Sequence, residues 1–379
     1  MLARAASAAY CKMVDVQRKL ELASRAALLV SIFPPAWVAG TVGLSVAKIL
    51  ENMEIGHNVM HGQWDWMRDP KIHSTTWEWD NASTAEGWKH SHNEIHHTYT
   101  NIVGKDNDLG YGIMRVDEEQ RWYPLYLAQP LWNFINACFF EYGIAAYDLE
   151  LGRNLRTPKE KRSEEFKRNL GNTLRKIRKQ ATKDYVVNPV LAAPTGSFLP
   201  ALAANFTANV VRNLWSHSVI MCGHFPPRRR DLRAEVDPGE GDAGGPVYLR
   251  QMLGSANISG SKLMHIMTGN LSHQIEHHLF PDLPSSRYAE VAPEGEGGLR
   301  QVRPELPRGA APAAGLQRLA PRRAPVLPER LARHHEHQEP PPQPAQAALR
   351  DGDRRQAQAP RHAAPPRERR REAGAGQAA

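Results

Sequence analysis

The chain has 379 residues, a net charge of +8 and 23% charged residues, enough for one large domain or two modest ones. The positive excess does not indicate a nucleic-acid binder: after Tyr288 sixteen Arg against eleven acids carry +5 of it, with no interleaved aromatics. Three scattered cysteines, Cys11, Cys138 and Cys222, exclude a disulfide framework or a zinc–thiolate site and permit a reducing cytoplasmic face.

The alanine-rich start gives no clear signal peptide. Residues 15–33 then read as a helix that turns from charged (Arg18, Lys19, Glu21) to apolar, and Pro34-Pro35 should break it. A second helix runs from Ala36 through Leu50, so that 27–50 forms one broken membrane crossing or most of a hairpin. It carries His57 and His61 just beyond the interface. The aromatic stretch around Trp77 and Trp79 is too polar to span, which leaves the next histidines on the same side. Trp64, Trp66, Trp77 and Trp79 suit either the interface or the core.

Residues 122–149 are apolar but contain Asn133, Asn136 and Glu141, and the segment after them, 153–183, holds twelve Lys or Arg and three acids. Cytoplasmic loops are basic, so 122–149 should lie in the near leaflet or form a shallow hairpin. The basic segment is either a solvated face or an attractor of anionic lipid or CoA phosphates. Pro189 to Phe225 reads as a second hairpin broken near Pro194–Pro200, returning the chain to the cytoplasmic side.

Three histidine clusters punctuate this plan: His57-x-x-x-His61, His92-x-x-x-His96-His97, and Gln274-x-x-His277-His278. Neutral imidazole is the commonest metal ligand, and spacings of three and four gather side chains on one helix face. A single metal site drawing on all three requires an even number of membrane crossings between them.

The clusters and their wording, HNVMHGQWDW, HNEIHHTYTN and NLSHQIEHHLFPDLPSSRY, resemble the three histidine boxes of the membrane fatty acid desaturases. The similarity is closest to actinobacterial acyl-CoA desaturases of the stearoyl-CoA type and runs from about Met13 to Tyr288. A Gln opening the third box is also found in front-end acyl-lipid desaturases. The resemblance implies an all-α integral membrane protein of helical hairpins, with a cytoplasmic helical cap holding a diiron site. Its implied ligands are His57, His61, His92, His96, His97, His277 and His278, with His217 as an eighth. His224 competes for that last place. Asn213, one turn before His217, and Gln274, where relatives place another His, would orient a ligand or a water. The implied reaction is O₂-dependent desaturation of a long-chain saturated acyl-CoA, at Δ9 by resemblance. It would use two Fe ions and a separate ferredoxin- or flavin-type reductase, with acyl lipid as the other substrate class and no nucleic acid partner. The expected location is the cell membrane, with the active site on the cytoplasmic side.

An alkyl C–H has no usable pKa, so a redox metal and dioxygen must supply this chemistry. Glu54-x-x-His57 and Glu94-x-x-His97 have the spacing of carboxylate-rich soluble diiron bundles, but here histidines dominate beside apolar blocks. A zincin needs Glu after its first His, and this chain has Asn58. A membrane-bound hydroxylase shares the metal pattern and differs in its product.

Two stretches depart from the family's wording: 227–246, and the chain after Tyr288, which lacks every aromatic and reads as a Pro/Ala/Arg-rich disordered tail over 289–379. The desaturase domain is therefore expected over 1–288, interrupted by an aberrant insert. Both stretches have the composition of a GC-rich gene translated in a shifted frame.

Overall fold

The computed structural model describes residues 2–106, 108–117, 120–225 and 245–293, all within the compact unit Met1–Pro325. The described residues are helical throughout, with no strand among them. Of the 227–246 stretch only Gly245 and Pro246 fall within them, and the tail beyond residue 293, with the short helix foreseen at Gln317–Leu319, lies outside.

Helix α1 (Leu2–Leu28) and α2 (Pro34–Ile49) form an antiparallel hairpin. Pro34-Pro35 falls at the expected break, with the first helix ending at Leu28 and the second starting on the prolines themselves: a proline at the first position has no amide to lose, and its fixed φ suits the turn. Gly40 and Gly43 make the hairpin tight. A Cβ at Gly40 would lie 2.7 Å from Leu28, and one at Gly43 would lie 2.3 Å from the Ser24 hydroxyl. Helix α2 continues through the wider turns Leu50–His57 into Asn58–Met60, which carries the first box inward.

The second box sits on α3 (Ala85–Trp88), whose extension Lys89–His96 is also π-wound and ends in His97–Tyr99. Two short helices follow, α4 (Gln129–Cys138) and α5 (Phe140–Asp148), so that the helical run of 122–149 is interrupted at Phe139. After α6 (Leu151–Arg156) comes the basic helix α7 (Glu164–Thr182), capped by the Ser163 hydroxyl. It passes through Lys183–Val187 and Asn188–Ala192 to a turn at Gly196, and α8 (Phe198–His224) returns antiparallel to it. Three shorter helices, α9 (Gly245–Gly254), α10 (Lys262–Met267) and α11 (Gln274–Leu279), close the site from the far side.

Charges inside the bundle tie α1 and α2 to the Lys183–Val187 turns that follow α7, and α8 to α5. The Lys48 ammonium lies 2.8 Å from Asp184, Arg25 reaches the same carboxylate at 3.1 Å, and buried Arg212 pairs with Glu141. Buried charges persist only when paired in this way. The described residues include no helix long and apolar enough to cross a membrane. Trp64 and Trp79 are core residues, whereas Trp66 is 41% exposed.

Candidate metal centre

A π-wound segment ends on His57, an ordinary α-turn (His61 N–H to the His57 carbonyl, 3.1 Å) sets the first pair, and π-winding through Lys89–His96 gathers the second box. Hydrogen bonds running i to i+5 widen the turn, so residues four and five apart share a face. The rings of His57 and His61 lie 4.6 Å apart, and His92 lies 5.1 Å from His96 and 5.0 Å from His97. In the third box, consecutive residues on α11 point to different partners. The ring of His277 is 4.7 Å from His61, while that of His278 is 5.1 Å from His96 and 5.1 Å from His224.

Two adjoining groups result. His57, His61, His92 and His277 have ligand atoms within 4.8 Å of one another, and so do His96, His224 and His278. His97 stands between them, its ring 4.9 Å from His277 and 4.7 Å from His278. All seven box histidines expected as ligands therefore meet in one place.

The eighth position falls differently. His217 lies two turns earlier on α8, edge-on to Phe140 at 5.2 Å, and belongs to neither group. His224 joins instead. Asn213 donates 3.0 Å to the carbonyl of Cys138 and accepts from Arg212, so it orients the α4–α5 junction rather than a box histidine. Gln274 does reach the site: its amide nitrogen is 3.2 Å from His224 Nε2, in space left by Gly223, where a Cβ would lie 3.0 Å from Gln274. His273 points away and stacks on His265. Glu94 is bonded to His90 on the exposed side of its helix, and Glu54 lies against Asn270, so neither Glu-x-x-His motif puts a carboxylate among the imidazoles.

Neighbouring groups fix which nitrogen of each ring carries its proton. His96 Nδ1 donates to Asp106 at 3.1 Å, and Asp106 also accepts the amides of Asn101 and Asp108. His277 Nδ1 donates to the Tyr288 hydroxyl at 3.2 Å. That hydroxyl donates to the Phe280 carbonyl and accepts from Gln63, whose other contacts to Pro281 and Ser285 fix its amide. His278 Nδ1 faces Gln251 Oε1 at 2.9 Å, and Gln251 Nε2 donates to the carbonyl of His97, so the ring must donate. His224 Nδ1 donates to the Ile220 carbonyl at 2.8 Å, and His57 Nδ1 to Asn58 Oδ1 at 3.3 Å. In a neutral ring, each such donation leaves a lone pair on Nε2.

Burial pushes the box imidazoles down, His57 to about 4 and His61, His92, His97, His277 and His278 well below their ordinary value. They are therefore neutral at physiological pH, the form that binds metal. The buried Nε2 atoms of His61, His92 and His277 and both ring nitrogens of His97 have no hydrogen-bond partner. Buried polar atoms are normally paired. A converging set of lone pairs without donors fits a pair of cations of the imidazole-binding class.

The sequence model of the fatty acid desaturase family matches residues 33–307. The chain belongs to the fatty acid desaturase family. It is 47% identical over 283 residues to the NADPH-dependent stearoyl-CoA 9-desaturase of Mycobacterium tuberculosis, covering 74% of this chain and 65% of that one. It is 24% identical over 272 residues to the sn-1 linoleoyl-lipid 6-desaturase of Synechocystis, covering 70% and 73% respectively. An acyl-lipid (7-3)-desaturase of Diacronema lutheri is 27% identical over 212 residues, covering 54% of this chain and 45% of that one. No solved structure matches. This family member spans just under two thirds of the length of the mycobacterial relatives it matches.

Several residues around the site escaped the sequence reading. Asp106 and Asp108 were signalled by an Asp-x-Asp pair soon after the second box, a spacing that suits carboxylates orienting its histidines. Gln63, Gln251 and Tyr288 carried no such signal, because their roles arise only from tertiary contact.

Proposed function

We propose that this chain desaturates a long-chain saturated fatty acyl-CoA, at Δ9, using dioxygen, two irons and two electrons from a separate reductase. The observation that carries the reading is the pair of adjoining imidazole groups, with proton positions set by Asp106, Tyr288, Gln251 and Ile220. Substrate and position follow the mycobacterial stearoyl-CoA 9-desaturases that the chain resembles, whose NADPH dependence supports a reductase-fed electron supply.

His57, His61, His92 and His277 would hold one metal ion and His96, His224 and His278 the other, with His97 between them. Iron bound there would supply the one-electron chemistry with dioxygen that unactivated methylenes require. The chain's own residues confine that chemistry. A cavity of about 40 Å³, room for a few waters, borders the imidazoles and is lined by Met53, Trp88, Ile144, Ile220 and Leu271. An acyl chain would need this lining to part, and the same apolar groups would then exclude water from the reacting carbons.

Expression in a desaturase-deficient host followed by fatty acid methyl ester analysis tests the reading. A Δ9 double bond supports it, and an inserted hydroxyl would point to a hydroxylase of the same superfamily. Desaturation confined to acyl lipids would favour the class of the Synechocystis relative.

The location we propose is the cell membrane, with the boxes and the basic segment on the cytoplasmic side. Exposed Lys161 and Glu290, each replaced by cysteine, should resist membrane-impermeant reagents in intact cells. Labelling of either from outside would refute the topology. We also propose that 227–246 and the tail are out-of-frame translations around a desaturase domain. The underlying nucleotides should then yield family-like wording in another frame. If neither alternative frame does, the tail is a genuine extension.

A further inference from the structure

An aromatic column leads from the imidazole cluster to the basic helix α7. Trp88 stacks on His92 with ring centres 4.4 Å apart and planes 21° from parallel. Trp79 follows at 5.5 Å from Trp88, its indole N–H donating to the Ser83 carbonyl. The Lys176 ammonium of α7 lies 5.8 Å above the Trp79 ring. Helix α7 is held over this loop by Lys176 on Glu78, Gln180 on Asp80 and Lys183 on Asp80. Its outer side exposes Lys167, Arg168, Arg175, Arg178 and Lys179.

We propose that this face docks a negatively charged one-electron carrier protein, and that Trp79 and Trp88 conduct its electrons to His92. The proposal rests on the desaturase reading, which sets the electron demand. One dioxygen takes four electrons: two leave the substrate with its two hydrogens, and two come from the carrier. Two solvent protons complete the balance, leaving a double bond and two waters. Only the carrier's electrons have to cross protein. The cluster is buried, so no carrier cofactor can touch it, and tunnelling falls off exponentially with the gap. The two adjacent indoles, tilted 54° to each other, shorten each gap, and the column ends on one of the imidazoles that meet at the centre. Clustered positive charge steers an acidic partner and raises its on-rate. A lipid surface fits this face less well. A helix lying in a membrane presents an apolar side, whereas α7 exposes one large apolar residue, Leu174.

The test uses the full chain and an acidic [2Fe–2S] ferredoxin kept reduced by NADPH and its reductase. Reversing Arg175, Arg178 and Lys179 together to Glu should weaken ferredoxin binding by about an order of magnitude and flatten its salt dependence. This holds for metal-free and iron-loaded protein alike. In stopped-flow, Trp79→Leu and Trp88→Leu should slow reduction of the iron-loaded protein severalfold at unchanged iron content, with Trp88→Phe restoring part of the rate. Should Trp88→Leu lose iron, Trp79→Leu carries the test, because Trp79 packs against Trp88 rather than against an imidazole. Wild-type reduction rates in Trp79→Leu would overturn the column. A triple variant that binds ferredoxin normally but loses phosphatidylglycerol vesicles would overturn the docking surface in favour of lipid. Chemically reduced, iron-loaded protein given stearoyl-CoA and oxygen tests the desaturase reading separately: no double bond there defeats that reading itself.

Discussion

The Nε2 atoms of His224 and His278 face each other at 3.2 Å, and neither has a proton to give. Each ring spends its proton on the opposite side, His224 on the Ile220 carbonyl and His278 on Gln251. The His224 lone pair also faces the Gln274 amide nitrogen at 3.2 Å, whereas His278 Nε2 meets it with no proton between them, an arrangement that a bound cation would relieve. His224→Ala should therefore abolish desaturation and lower bound iron, as His96→Ala and His278→Ala should. His217→Ala should keep its iron, because His217 packs on Phe140 outside both groups. Iron analysis of the purified variants decides it: full iron in His224→Ala with loss in His217→Ala would reverse the assignment.

The groups behind the imidazoles should matter almost as much. Asp106 accepts from His96 and two backbone amides, and Tyr288 accepts from His277 while fully buried. Removing such an orienting partner typically costs about 10–100-fold in metal affinity. Asp106→Ala and Tyr288→Phe should each show a loss of that order by competition with a chelator, with helix content intact. Unchanged affinity in both would mean that the ring orientations are set by packing alone.

The box histidines were legible because spacings of four and five survive any helical winding that gathers them. The winding itself was not, since Leu50–His57 and Lys89–His96 look like ordinary helix in sequence. His217 and His224 share one helix, and spacing cannot say which turn meets the second box. That depends on where α8 ends beside α11, which Gly223 and Gln274 settle by contact. Pro34-Pro35 marked the break between the first two helices correctly, but spacing could not show that the first ends at Leu28 and that the second starts on the prolines themselves. The membrane hairpins were read from apolar runs, and those runs could not show the paired charges Lys48, Asp184 and Arg212 that the helices bury between them.

Gly269 joins the third box to the first. Its φ is +64°, and a Cβ there would lie 2.2 Å from the Met53 carbonyl oxygen and 3.1 Å from the Glu54 amide. Both the backbone conformation and the space demand glycine. Gly269→Ala should cost about 2–4 kcal/mol through strain and displaced backbone. It should also loosen the turn that presents His277 and His278. Thermal unfolding beside iron content measures both effects. A variant as stable and iron-replete as wild type would show that this crossing is not what seats the third box.

Acid should release the centre before it unfolds the bundle. In the unfolded chain the box imidazoles take up protons near their ordinary 6.5, whereas burial holds His57 at about 4 and His61, His92, His97, His277 and His278 well below 6.5. Between those values the unfolded state binds more protons, so native stability falls as pH drops from 6.5 towards 4. For His57 alone the full window is worth on the order of 3 kcal/mol. Glu51 and Glu54, pushed up by burial to about 7 and about 8, act in the opposite sense. They bind protons in the native state that the unfolded state has released, so they erode stability as pH rises from 4.5 to those values. Asp148, which burial also raises to about 7, acts as they do, so the metal-free protein should be most stable near neutrality and weaken on both sides, more steeply in acid, where the imidazoles outnumber these three carboxyls. With iron bound the acid limb should steepen, because protons compete with metal for the same nitrogens. Unfolding midpoints across this range, with and without iron, check the prediction. A metal-free protein that grows more stable on acidification would mean that the buried imidazoles are not held neutral by the fold.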